Sequence, residues 1–199
     1  MKNDIYIHDQ ALIIGRVSIG LSSSVLPNAV VRGDLADIEI GRYSNIQDNC
    51  VVHSDMGHYV KVGDFVTVGH GAVIHGADIG DCCIVGMSSV VMNGSKIGRG
   101  SIIGAGTLIK EKMEVPPLSL AVGNPAVIKE NRFKDCIAPL ESALIYYFLT
   151  RWYLKGKLPQ REDVRKIYDL ARREAGNLDG RMASGEDVAE LAETLLPMP

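Results

Sequence analysis

Aliphatic residues mark this chain at intervals of six: Ile19, Val25, Val31; Ile40, Ile46, Val52; Val62, Val68, Ile74; then Ile79, Val85, Val91, Ile97, Ile103 and Ile109. The next residue is often glycine, as at Gly20, Gly41, Gly63, Gly69, Gly80, Gly86, Gly98 and Gly104. The fourth residue on is small, as at Ser23, Ala29, Ser44, Cys50, Ala72, Ser89, Ser101 and Thr107. A helix has no reason to repeat at six. A short strand followed by a tight corner does, because alternation turns the aliphatic side chain inward and glycine tolerates unusual corner dihedrals. Three such units close one triangular coil, so the spacing predicts a mainly β, parallel β-helix over residues 10 to 128. Cys50 and Cys83 fall at the small inward position and are expected to be core filler.

The ruler stops near "VPPLSLAVGNPAVI", where Pro116, Pro117 and Pro125 cannot donate to a strand ladder. Helical spacing follows. "PLESALIYYFLTRWYLKG" ends at Gly156, "REDVRKIYDLARREAGN" ends at Gly176, and "SGEDVAELAETLL" opens on a capping Ser184. The first of these helices is expected to lie against the β-helix through Tyr146, Tyr147, Phe148, Trp152 and Tyr153, acting as packing residues. The chain thus divides into a β-helix over residues 1–130 and a helical extension over 131–199.

With 21 Lys and Arg against 24 Asp and Glu, the charge is nearly balanced, so no basic footprint points to nucleic acid or an anionic membrane. The opening "MKNDIYIHDQ" has no apolar stretch of a leader, and "ALIYYFLTRWYL" is short and interrupted by Arg151, so a cytoplasmic protein is expected. Four cysteines form no CxxC pair and read as reduced thiols.

Against this background the segment "VVHSDMGHYVKVGDFVTVGHGAVIHG" stands out, since it holds four of the five histidines. Val31, Val52 and Ile74 are the third-face aliphatics of successive coils, so Arg32, His53 and His75 occupy the next, outward position and stack in one column. Strands in neighbouring coils lie about 4.8 Å apart, which lets two imidazoles share one ion at about 2.0–2.1 Å per Zn–N bond. His70 lies on the second face, above Asp48. A parallel trimer would bring the second face of one chain against the third face of the next, adding His70 to the site and setting Gln47 and Asp48 level with His53. His8 and His58 are read as ordinary surface histidines, and Arg32 with Asp34 as an interface pair.

The phrases "RGD" (Arg32 to Asp34), "NIQD" (Asn45 to Asp48), "VVH" (His53), "VGHGAVIHG" (His70, His75) and "GNPA" (Gly123 to Ala126) resemble the gamma-class carbonic anhydrase family over residues 10 to 130. The resemblance implies a left-handed β-helix, a homotrimer, and zinc bound between subunits by His53, His70 and His75. It implies that Arg32 and Asp34 support the interface, and that Gln47, with Asn45 beside it in the same motif, works on the zinc-bound water. Three histidines and an open position make a catalytic zinc arrangement, in which water reaches a pKa of about 7 and can attack carbon dioxide to give bicarbonate. Fe(II) or Co(II) would suit the same ligands.

Two departures bear on activity. Leu35 follows Asp34 where one branch of the family carries an acid, and "SDMGHYVK" is short and lacks the glutamate of that branch's longer proton-shuttle loop. Low turnover limited by proton transfer is therefore expected, with His58 the one imidazole in that loop. Two other readings share the fold: a hexapeptide-repeat acyltransferase, which uses a single histidine base, and a metal-binding or scaffold protein without catalysis.

Overall fold

The computed structural model describes residues 4–130, 132–182, 186–187 and 192. Every strand of the repeat pairs in parallel with its counterpart one coil away. On the first face Ile19, Ile40, Val62, Ile79, Ile97 and Val115 stand in register. On the second the column is Val25, Ile46, Val68, Val85, Ile103 and Ala121. On the third it is Ile13, Val31, Val52, Ile74, Val91 and Ile109. From Val25 to Ala121 these side chains are at most 3% exposed, so the core is a rod of branched aliphatics along the coil axis. The protein is a mainly β parallel solenoid followed, among the described residues, by two helices.

The small inward residues fill the corners. Where they are serines, their hydroxyls satisfy backbone carbonyls, as Ser23 does at Gly41 (2.6 Å) and Ser44 at Gly63 (2.7 Å). Cys50 and Cys83 do the same with weaker thiol donors, to Gly69 and Gly98, and all four cysteines are free.

The glycines follow a different logic from the one the spacing suggests. Those after the aliphatic residue do not adopt left-handed dihedrals. Instead, a Cβ on Gly20 would come within 2.6 Å of Arg42 N, and one on Gly86 within 2.5 Å of Ala105 N, so close approach of the next coil excludes a side chain. The left-handed position comes two residues later and is filled by Ser22, Asn28, Tyr43, Asn49, Phe65, Cys82 and Ser88 as well as by Gly71, Gly100 and Gly106.

The six-residue step fails at one corner only of the coils that carry the histidines. From Val31 to Ile40, Val52 to Val62 and Ile74 to Ile79 the steps are nine, ten and five residues. The extra chain holds Arg32 to Asp37 and the loop Ser54 to Tyr59.

The three outer surfaces differ. The first face carries an alternating ladder of Glu39, Lys61, Asp78, Lys96 and Glu114, paired rung by rung. The third carries an apolar stripe of Leu12, Val30, Val51, Val73, Val90 and Leu108, with Leu12 52% and Val51 37% exposed. The second is covered in its early coils by α1 (Ile137–Leu154), whose Leu140, Leu144, Tyr147 and Phe148 are buried in one cluster with Tyr43 and Phe65. The Tyr43 and Phe65 rings, projected from the left-handed corner, stack with centroids 4.8 Å apart. Tyr147 meets Tyr43 edge-on.

The second helix, α2, runs Arg161–Met182 and passes through Gly176, where an end was expected. Its buried stripe of Ile167, Ala171, Ala175, Leu178 and Met182 continues beyond the glycine, and that packing outweighs a helix penalty of about 1 kcal/mol. The expected helix opening at Ser184 lies outside the described residues. No helix among the described residues is long and apolar enough to cross a membrane.

Candidate metal centre

The parallel register sets Arg32 beside His53 and His53 beside His75 on the third face. The rings of the two histidines meet with centroids 4.9 Å apart, and Nδ1 of His53 lies 3.0 Å from Nε2 of His75. Each ring has its other nitrogen held. Nε2 of His53 is 3.0 Å from Asp34 Oδ1, and Nδ1 of His75 is 2.6 Å from Asn93 Oδ1. Asp34 is in turn bound by the Arg32 guanidinium. The expected interface pair is thus an ion pair within one chain whose carboxylate also orients a histidine. Partial desolvation pushes the Asp34 carboxyl up, but the hydrogen bonds from Arg32 and His53 outweigh it and hold the group below the usual carboxylate range.

His70 occupies the second face. Its Nδ1 lies 2.8 Å from Asp48 Oδ2 and its Nε2 3.3 Å from the Tyr146 hydroxyl. Its backbone N–H donates to Gln47 Oε1 (3.1 Å), while Gln47 Nε2 donates to Asn45 Oδ1 (3.0 Å) and Asn45 Nδ2 donates to Thr67 Oγ1 (3.1 Å). Asn45 and Gln47 are 1% and 4% exposed, so this amide chain is locked by packing. The residues singled out from sequence therefore form two groups: Arg32, Asp34, His53 and His75 on one face, and Asn45, Gln47 and His70 on another. Among the described residues no three His, Cys, Asp or Glu side chains converge to hold a metal ion.

The second group opens into a cavity of about 370 Å³ lined by Tyr6, His8, Asp48, His70, Tyr146 and Tyr153. His8 thus belongs to this wall, with its Nδ1 accepting the Gln10 N–H (3.1 Å). A wider groove of about 700 Å³ over Leu35, Asp37, Tyr59 and Lys61 contains none of the histidines.

Three residues near these groups escape a reading of the repeat. Tyr146, expected to pack, turns its hydroxyl to His70 while Tyr147 and Phe148 are buried. Burial, with Asp48 beside it, pushes the Tyr146 phenol up to about 12. Asn93 lies one coil below His75, and Asp55 comes from the loop after His53. The Asp55 carboxyl is held below its ordinary value by the Met56 N–H and the Asn93 amide. Asn93 is a polar residue two positions after Val91, in the coil next to the histidine column. That is the one sequence signal that could have flagged it.

The chemistry of the donor set fits a divalent metal. If both rings donate their outer N–H, to Asp34 and Asn93, two nitrogen lone pairs face each other across 3.0 Å. Two tetrahedral zinc ligands at about 2.0–2.1 Å from the metal stand about 3.3 Å apart, so a cation fits between them with little movement. Metal-bound histidines characteristically have their second nitrogen held in this way.

Comparison with known proteins agrees with the repeat. The family model described as bacterial transferase hexapeptide (six repeats) matches residues 76–111. The chain is 46% identical over 151 residues to a protein of Methanocaldococcus jannaschii named probable carbonic anhydrase, covering 75% of this chain and 95% of that one. It is 37% identical over 132 residues to gamma carbonic anhydrase 2, mitochondrial, of Arabidopsis thaliana, covering 63% and 48%. Among solved structures it resembles a hexapeptide transferase family protein from Anaplasma phagocytophilum, with a TM-score of 0.57, 27% identity, and coverage of 96% and 93%. The near-complete match to the archaeal relative decides the grouping: this chain belongs to the gamma-class carbonic anhydrase family.

Proposed function

We propose that the protein is a zinc-dependent enzyme that hydrates carbon dioxide to bicarbonate, working as a homotrimer of left-handed β-helices. The observation that carries this reading is the facing pair of ring nitrogens on His53 and His75, each ring anchored through its other nitrogen. A third ligand is then His70 of a neighbouring copy, since its own chain puts it on a different face. The exposed apolar stripe beside the His53 column supports burial of the third face against such a neighbour. On this reading residues 1–130 hold the metal and residues 131–199 are an extension that contributes Tyr146.

When bound, zinc supplies Lewis acidity that brings the pKa of water to about 7, and Fe(II) or Co(II) could serve the same ligands. The rest falls to side chains. Asp34 and Asp48 accept the outer N–H groups of His53 and His70, which leaves the inner nitrogens as donors of lone pairs. Arg32 neutralises and positions Asp34. Gln47 spends its carbonyl on the His70 backbone and one N–H on Asn45, so its second N–H is the one that would serve a reacting oxygen. Asn45 is a positioning residue, fixed by Thr67.

The test is metal analysis of protein purified without chelator, followed by carbon dioxide hydration and coenzyme A binding assays. One zinc per chain with hydration activity is expected. Coenzyme A binding without metal would favour the acyltransferase reading, which the likeness to a hexapeptide transferase keeps in view. Metal without hydration would leave a metal-binding or scaffold protein.

A further inference from the structure

The loop that follows His53 is short, yet it is not idle. Asp55 and His58 exchange backbone hydrogen bonds of 2.9 Å in both directions, closing a tight turn over Gly57 at φ 81°. The turn lies flat on the next coil, where a Cβ on Gly76 would come within 2.7 Å of His58 Cβ. In this seat Asp55 Oδ1 accepts the Met56 N–H at 2.7 Å, and Oδ2 accepts Asn93 Nδ2 at 3.0 Å. Asn93 Oδ1 then lies 2.6 Å from Nδ1 of His75.

From this chain of contacts we infer that Asp55, acting through Asn93, sets the tautomer of His75 and so prepares its Nε2 as a metal-binding lone pair. The logic is one of donors and acceptors. A carboxylate only accepts, so the Asn93 side chain must turn its NH₂ toward Asp55 and its carbonyl oxygen toward His75. The reversed amide would set two oxygens against each other. The carbonyl oxygen in turn accepts only, so the proton of a neutral His75 must sit on Nδ1. Nε2 is left with its lone pair, on the side where Nδ1 of His53 stands 3.0 Å away. Asn93 itself cannot drift, because its backbone carbonyl accepts the Lys112 N–H at 2.9 Å and the adjacent Gly94 N–H donates to Gly76 at 2.7 Å. Asp55 and Asn93 are therefore positioning residues, and the post-His53 loop, which lacks the acidic shuttle of one branch of the family, works on ligand orientation instead. The inference rests on the reading of His75 as a metal ligand.

The experiment uses the full chain and two measurements. First, the His75 tautomer is read in metal-free protein by long-range ¹H–¹⁵N correlation of the imidazole. A single Nδ1–H form is expected in the wild type and a mixture in Asp55→Asn, whose new amide can either donate or accept. Second, zinc affinity is measured by competition with a chelator. Asp55→Asn and Asn93→Ala should each bind zinc about 10–100-fold more weakly, and the double variant no more weakly than Asn93→Ala alone, as expected for residues acting in series. An unchanged His75 tautomer in Asp55→Asn, or losses that add in the double variant, would overturn the relay. If the wild type bound no zinc, the proposed function would fail, while the tautomer measurement would still decide whether Asp55 governs His75.

Discussion

The Asp48 carboxylate lies 2.8 Å from Nδ1 of His70, so in the neutral ring the lone pair sits on Nε2, which faces the Tyr146 hydroxyl at 3.3 Å on a face the chain does not share with His53 and His75. On the proposed reading His70 is a metal ligand, and because no second candidate ligand shares its face among the described residues, that reading requires a neighbouring copy.

Chains carrying His53→Ala and chains carrying His70→Ala should each lose interface zinc when pure. Refolded together, the mixed assemblies should regain part of it, because some interfaces then pair an intact third face with an intact second face. Sedimentation should give a mass near three chains. A monomer that retains full zinc would defeat the shared site.

Gln47→Ala removes an oriented amide without removing a ligand. Hydration should fall on the order of 10²-fold, the usual cost of losing one positioned donor, with zinc content unchanged. Loss of metal together with activity would instead assign Gln47 a role in holding His70, whose backbone N–H it accepts.

Two glycines should respond differently to alanine. At Gly86 the new Cβ would stand 2.5 Å from the Ala105 backbone nitrogen, which cannot yield without parting two coils. A loss of about 3 kcal/mol or more is expected there. At Gly106 nothing lies within 4 Å, and only the left-handed φ of 67° is unfavourable, which costs about 1–2 kcal/mol. Urea unfolding of the two variants measures the contrast.

Burial pushes the Cys83 thiol from 9.0 up to about 12. Below pH 9 both folded and unfolded chains keep this proton, and the contribution to stability is complete. Between 9 and about 12 the unfolded chain releases it and the folded chain does not, so stability falls by up to about 1.4 kcal/mol per pH unit. Cys83→Ala, which installs the residue used at Ala29 and Ala72, should flatten the alkaline slope of unfolding free energy. An unaltered slope would show that Cys83 does not set it.

Hydration should accelerate with buffer concentration, because no acidic side chain of the short loop is left over to carry protons away. Asp55 is engaged by Met56 and Asn93, and His58 is seated against Gly76 and Gly94. Buffer should therefore raise the rates of wild type and His58→Ala equally. A wild-type rate independent of buffer would reject proton transfer as the limit.

The register was legible because the six-residue step is rigid: once Val31, Val52 and Ile74 share a column, the side chains after them must too. The same rigidity separates His70 from His53 and His75 by spacing alone. Asp55 and Tyr146 were not legible, since one arrives through a loop that breaks the step and the other from a helix whose rotation decides between Tyr146 and Tyr147. The reason for the glycines was also hidden. Sequence spacing marks that a position tolerates no side chain, but dihedral freedom and collision with the neighbouring coil produce the same letter. At Gly176 local propensity pointed to a helix end, and the stripe from Ile167 to Met182 overrode it.

A stack of parallel coils has no intrinsic reason to stop, because its last rung offers the same open ladder as every rung before it. Here Leu120–Val122 is met not by another parallel strand but by Val127–Lys129 running the opposite way, after the turn at Gly123 to Ala126. The reversal presents an arriving copy with the wrong hydrogen-bond phase, and exposed Lys129 and Glu130 add charge at the rim. One backward strand thus ends the parallel pairing of the second-face ladder, where the repeat alone would have continued it.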